Sequence, residues 1–105
     1  MKAILIDPFK KSVEYIETGL TLPELYELVG ENSIDICRPF PGHPREAAIV
    51  GDHSALQMPP LARFFVDGFI DPLYGKTIVY GVTANGGERS SGLSVEQVHE
   101  WITFE

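Results

Sequence analysis

The residues able to do chemistry in this chain fall in loop-forming stretches. Asp52-His53-Ser54 holds the residue types of a hydrolytic triad. Adjacent residues do not aim at one another as a triad requires, and triads are assembled from distant segments. A surface turn is the plainer reading, and no catalytic residue is assigned. His43, His53 and Asp52 could meet around a metal if their loops share one end of a sheet. The recognisable spacing of metal ligands on one element is missing, so no metal is expected. Thr83-Ala84-Asn85-Gly86-Gly87 follows a strand and could turn backbone N–H groups toward an anion. A phosphate loop, however, opens directly into a helix with a fixed glycine pattern, and here the next helix cap is Ser94. A connecting loop is the simpler assignment. Cys37 is the single cysteine. Thiol reactivity needs a positive, partly exposed setting, and Arg38 beside it would point to the opposite face of a strand. A structural cysteine is expected. Asp67 and Asp71 flank Gly68-Phe69-Ile70 and suit turn positions rather than paired-carboxylate chemistry. The candidate binding residues are therefore His43, Asp52, His53, Asn85, Gly86 and Gly87, with no cofactor implied.

Positioning these loops falls to elements with clear signals. Lys76-Thr77-Ile78-Val79-Tyr80-Gly81-Val82-Thr83 is the best strand, β-branched and aromatic, with turn residues on both sides. A near-continuous apolar run of this kind reads as a central strand covered on both faces. Gly81 inside it marks a bulge or a close backbone approach. Lys2–Asp7 and Ser12–Glu17 read as an N-terminal hairpin across a turn containing Pro8. Thr21-Leu22-Pro23-Glu24 has capping-box spacing, with Leu20 and Leu25 as a hydrophobic staple, and Gly30 closes a helix over Leu22–Val29. Its apolar stripe is Leu22, Leu25, Tyr26 and Val29. Ser33–Arg38 alternates as a strand, and Pro39–Pro44 must be an irregular loop. Glu46–Val50 resumes a strand, with Ile49 and Val50 as its buried residues. A helical turn is expected around Ser54–Gln57, and Leu61–Val66 reads as either helix or strand. Ser94-Val95-Glu96-Gln97 caps a second helix, Val95–Trp101, with Leu93 and Val98 as its staple. Ile102-Thr103-Phe104 then leaves as an extended tail. The expected fold is α+β: a small mixed or antiparallel sheet of about five strands with two short helices packed on it, in one globular domain, 1-105.

A hydrophobic fraction of 44% suffices for a core without disulfide or metal. The net charge of -7 argues against direct binding of nucleic acid or anionic lipid, both of which need a basic face. The short apolar run at the N-terminus is too brief for a signal peptide or a membrane span, and a single cysteine suits a reducing compartment. A cytoplasmic location is expected.

Three stretches carry a family resemblance: Lys-Ala-Ile-Leu-Ile-Asp-Pro at the N-terminus, Leu-Pro-Glu-Leu-Tyr-Glu-Leu-Val-Gly, and Leu-Tyr-Gly-Lys-Thr-Ile-Val-Tyr-Gly-Val. The last is followed by a glycine-rich loop and Leu-Ser-Val-Glu-Gln-Val. This order resembles a family of small proteins, classed as a domain of unknown function, carried by phages, plasmids and their bacterial hosts. The segment Pro39–Val66 departs from that pattern. The resemblance implies a mobile-element setting and a small α+β fold, and it carries no functional residue over.

Phe40, Phe64, Phe65, Phe69, Tyr74 and Tyr80 lie near proline- and glycine-rich segments. They either fill the core or form an apolar partner surface. The leading functional expectation is a non-enzymatic interaction module binding a host or phage protein. Its acidic residues Glu14, Glu17, Glu24, Glu27 and Glu31 would steer it to a basic partner. The alternatives are a small-molecule or metal-binding protein or small enzyme, with a site among the loops 39-44, 52-54 and 84-92, or a homodimer built on a strand edge.

Overall fold

The computed structural model describes residues 1–30, 33–51 and 62–105. Its elements run β1 (Lys2–Asp7), β2 (Ser12–Glu17), α1 (Leu22–Val29), β3 (Ile34–Cys37), β4 (Glu46–Gly51), β5 (Arg63–Val66), β6 (Leu73–Tyr74), β7 (Thr77–Val82), β8 (Glu88–Arg89), α2 (Val95–Trp101) and β9 (Ile102–Phe104). One sheet has the order β2-β1-β7-β4-β3, with β8 pairing onto β7, and a second has the order β6-β5-β9. Every pairing is antiparallel.

β7 occupies the centre because its two faces feed two separate cores. Val79 packs with Ile4, Ile6, Ala48, Phe64 and Val98 on one side. Ile78 and Tyr80 pack with Ala3, Leu5, Ile49, Leu25 and Val29 on the other. Alternation along the strand sends successive side chains to opposite faces, so an unbroken apolar run is what a middle layer needs. The result is a three-layer arrangement: α1 on one face of the large sheet, and α2 with the small sheet on the other. Each fully buried large aliphatic side chain contributes about 1.5–3 kcal/mol.

Local chemistry fixes the ends of these elements. Asp7 Oδ1 accepts from the Phe9 N–H (3.0 Å) and the Lys10 N–H (3.2 Å), closing the β1–β2 turn. Gly30 adopts φ 82° and donates its N–H to the Tyr26 carbonyl at 2.8 Å, ending α1. Ser94 and Gln97 exchange both capping-box hydrogen bonds at the start of α2. The equivalent box at α1 is absent: the Thr21 side chain makes no cap hydrogen bond, and Glu24 reaches the Gly19 N–H instead. Leu22 does not join the apolar stripe of α1 and is 56% exposed. In β4 Glu46, Ala47, Ala48, Ile49 and Gly51 are buried, while Val50 is half-buried. The ambiguous stretch before Asp67 is a strand from Arg63, and Ile102–Phe104 pairs with it. That second sheet is the main addition to the expected architecture. The expected turn at Ser54–Gln57 lies outside the described residues.

Candidate functional site

The loop from Arg38 to Arg45 is shaped by its own chain. Pro39 and Phe40 are buried, and Phe40 roots the loop in the core beneath α2. The Phe40 carbonyl accepts from the His43 N–H at 3.1 Å, and the His43 carbonyl accepts from the Glu46 N–H at 3.1 Å. The Arg38 guanidinium donates to the Pro44 carbonyl at 2.7 Å and draws the loop's ends together. This geometry lays the His43 ring against Trp101, with centroids 4.9 Å apart, and Phe40 lies 6.2 Å from Trp101 on centroids. From the opposite side comes the turn after β5. The Asp67 N–H donates to the Trp101 carbonyl at 2.8 Å, and the Phe69 N–H to the Val66 carbonyl at 3.0 Å. Gly68 completes the turn at φ 83°, where a Cβ would approach Pro41 Cγ to 3.0 Å. Both the dihedral and the space select glycine there.

Between loop and turn lies a cleft of about 380 Å³, lined by Phe40, Pro41, His43, Val66, Asp67, Gly68 and Trp101. Such a volume lies within the range of ligand pockets, which are mostly apolar with a few polar groups. Ile70, in the same turn, is 93% exposed. A large aliphatic side chain held almost entirely in water is the unusual observation here.

A second cleft of about 290 Å³ lies on the other side of His43, bordered by Pro44, Arg45, Glu46, Arg89, Gly92 and Gln97. Its floor is the Glu46 carboxylate, whose residue is 3% exposed. Glu46 Oε2 accepts from Arg89 Nη2 (3.3 Å) and the Gly92 N–H (3.1 Å), and Oε1 accepts from the Ser91 hydroxyl (2.5 Å). Burying a carboxylate is costly unless it is paired and hydrogen-bonded, and these donors meet that condition. Gly81 makes this packing possible: a Cβ there would fall 2.5 Å from Arg89 Nη1 and 2.6 Å from the Ser90 carbonyl oxygen. The expected close backbone approach at Gly81 is therefore present.

His43 borders both clefts. Asn85, Gly86 and Gly87 form the exposed β7–β8 turn, away from the residues lining either one. The Gly86 N–H donates to the Thr83 carbonyl (3.0 Å) and the Gly87 N–H to Thr83 Oγ1 (2.9 Å), which engages the amides of the envisaged anion loop internally. Arg89 and Gly92, further along the 84–92 loop, are the residues that meet the 39–44 loop. Asp52 and His53 lie outside the described residues. Among the described residues, no three His, Cys, Asp or Glu side chains converge as a metal group would need. Cys37 is half-buried, and burial, with the nearby Asp35 charge, pushes its thiol up to about 11. Of the six aromatic residues near Pro and Gly segments, Phe40, Phe64 and Tyr80 are buried, Phe69 and Tyr74 are half-buried, and Phe65 is exposed.

The sequence places Trp101 only as the last residue of the second helix and does not set it at a cleft. Its position at the last residue of the helix, where the ring can reach past the helix end, was the available signal. Glu46 was also missed. A lone carboxylate opening the apolar run Ala47–Val50 needs a partner, and Arg89 is the one basic residue in the 84–92 loop.

Fold and cleft together define a small three-layer α+β protein with an aromatic-walled cleft and an exposed isoleucine two residues beyond Gly68 of that cleft. The chain belongs to the family described as Domain of unknown function (DUF3846), whose model matches residues 1–104. No curated protein and no solved structure matches the chain. Among the described residues, no helix is long and apolar enough to cross a membrane.

Proposed function

We propose that this protein is a non-enzymatic interaction module and that the cleft between the 39–44 loop and the Asp67–Pro72 turn is its partner-binding face. The observation that carries this reading is an aromatic-walled cleft bordered by Asp67 and Gly68, in a turn that leads two residues later to Ile70, 93% exposed. An aromatic pocket and a protruding aliphatic residue carried by one turn supply the kind of anchors that an interface core uses, where a few residues give most of the binding energy. The partner is a host or phage protein met in the cytoplasm. That setting draws on the resemblance to phage- and plasmid-borne proteins.

The test is affinity capture from host lysate with three baits: wild type, Ile70→Asp and Ile36→Asp. Ile36 is also exposed, but it pairs with Ile49 and so belongs to the α1 side of the large sheet. A stoichiometric partner lost with Ile70→Asp and kept with Ile36→Asp supports the reading. Equal retention by both variants overturns it.

The cleft volume also favours a second reading, a small-molecule site in the same place. Native mass spectrometry of gently purified protein separates the two. A stoichiometric extra mass that disappears in Trp101→Ala would replace the interaction reading.

A further inference from the structure

We infer that the cleft recognises a cationic side chain, a lysine or arginine presented by the partner protein. This inference rests on the interaction reading and names the chemistry of the contact. The Phe40 and Trp101 rings border the cleft, with the His43 imidazole packed against Trp101. Aromatic faces carry negative quadrupole potential and attract ammonium and guanidinium groups, with tryptophan the strongest. Among the described residues, the one carboxylate bordering the cleft belongs to Asp67, which is exposed, and no lysine or arginine lines it. The Asp67 N–H on the Trp101 carbonyl fixes the two backbones as neighbours, so both side chains start from the same edge of the cleft. Asp71, also exposed, adds a second negative charge in the same turn. Trp101 ends α2, and the C-terminal end of a helix contributes further partial negative charge. The whole chain carries a net charge of -7, which steers a basic partner toward it. The cationic head lies over the Trp101 face on the side of Asp67, and the aliphatic stem runs along the apolar wall of Pro41 and Val66, so a lysine or arginine side chain satisfies both halves of the site.

Trp101 is the single tryptophan, so its fluorescence reports directly on this cleft. The experiment titrates the full chain with N-acetyl-lysine methylamide, N-acetyl-arginine methylamide and N-acetyl-norleucine methylamide at matched ionic strength. Norleucine has the lysine stem without the charge. Fluorescence is read alongside NMR shifts of the Trp101 indole N–H and the His43 ring. The expected result is saturable binding of the cationic probes, about 2- to 30-fold tighter than norleucine, the span of a cation–π contact. Asp67→Asn should remove about half or more of that preference while leaving the melting curve unchanged, because its backbone N–H on Trp101 is retained. Norleucine binding as tightly as lysine overturns the inference. So does the absence of saturable binding by the cationic probes. Either result leaves the interaction reading to be judged by the Ile70→Asp capture. Loss of that Ile70 dependence would fail the interaction reading even if the cation preference stands.

Discussion

At the residue scale, folding takes both Glu46 and Cys37 out of water. Glu46 exchanges water for Arg89, Ser91 and the Gly92 N–H. Glu46→Ala leaves those donors without their acceptor, and the expected loss is about 2–4 kcal/mol. Urea unfolding at neutral pH measures it, and a change below about 0.5 kcal/mol, the scale of an ordinary surface substitution, would remove the carboxylate from the set of groups that hold the fold. Gly81→Ala should reach a similar outcome by another route, forcing Arg89 and the Ser90 backbone away from β7. For Cys37, burial first and the Asp35 charge second favour the neutral thiol. Its folded value, about 11, stands above the ordinary 9.0. The stabilising preference is therefore complete below 9.0 and is lost as pH rises through about 11. Iodoacetamide labelling should run about a hundredfold slower in the folded chain than in the unfolded chain near pH 8, the factor set by a two-unit difference in thiolate population. Equal rates in the two states would contradict the raised value.

The helix caps make the clearest comparison at the scale of elements. Both helices begin with a hydroxyl residue followed three positions later by Glu or Gln, yet only Ser94 closes its box. Ser94→Ala should cost about 1 kcal/mol, the worth of a side-chain cap, and Thr21→Ala only a few tenths. Matched thermal melts of the two variants decide this, and equal losses would show that Thr21 caps α1 in solution. The same contrast shows why part of the fold was readable in the chain. Periodicity and capping patterns are local, so the bounds of β1, β2, α1, α2 and the β9 tail followed from residues within a few positions of each other. Whether Glu24 turns back to Thr21 or onward to Gly19 depends on how β2 delivers the chain to α1, which no local pattern records. The small sheet was hidden for a similar reason. β5 is Arg63-Phe64-Phe65-Val66, too short and too aromatic for its period to be told from a helical turn, and its partner strand lies at the far end of the chain. The cleft shares that origin: His43 was singled out in the sequence, but Trp101 and Asp67 come to it only through the β5–β9 pairing and the seating of α2.

At the scale of the molecule, the consequential feature is that β1, β4 and β7 separate two cores while belonging to both. Ile4 and Ile78 are fully buried on adjacent strands but point into different clusters, Ile4 toward α2 and the small sheet and Ile78 toward α1. A cavity at either site therefore weakens a strand that the other core also uses. Ile4→Ala and Ile78→Ala should each cost about 2–5 kcal/mol, the range of large-to-small substitutions in packed interiors. Both should do so by shifting one transition, because two-state unfolding joins layers that share a sheet. Two probes view the layers separately: Trp101 fluorescence follows the α2 side, and far-UV circular dichroism follows all the elements. In both variants the two denaturation curves should coincide, with the slope on denaturant unchanged. If Ile78→Ala instead moved the circular dichroism curve and left the Trp101 transition where it stood, the α1 layer would be unfolding on its own. The chain would then comprise two cooperative units, and the cleft would sit on the part that survives without α1. Coincident curves make the cleft a property of one domain, so that occupancy at Trp101 stabilises α1 as much as α2. Hydrogen-exchange protection of the Leu25 and Val29 amides should then rise when the cleft is filled.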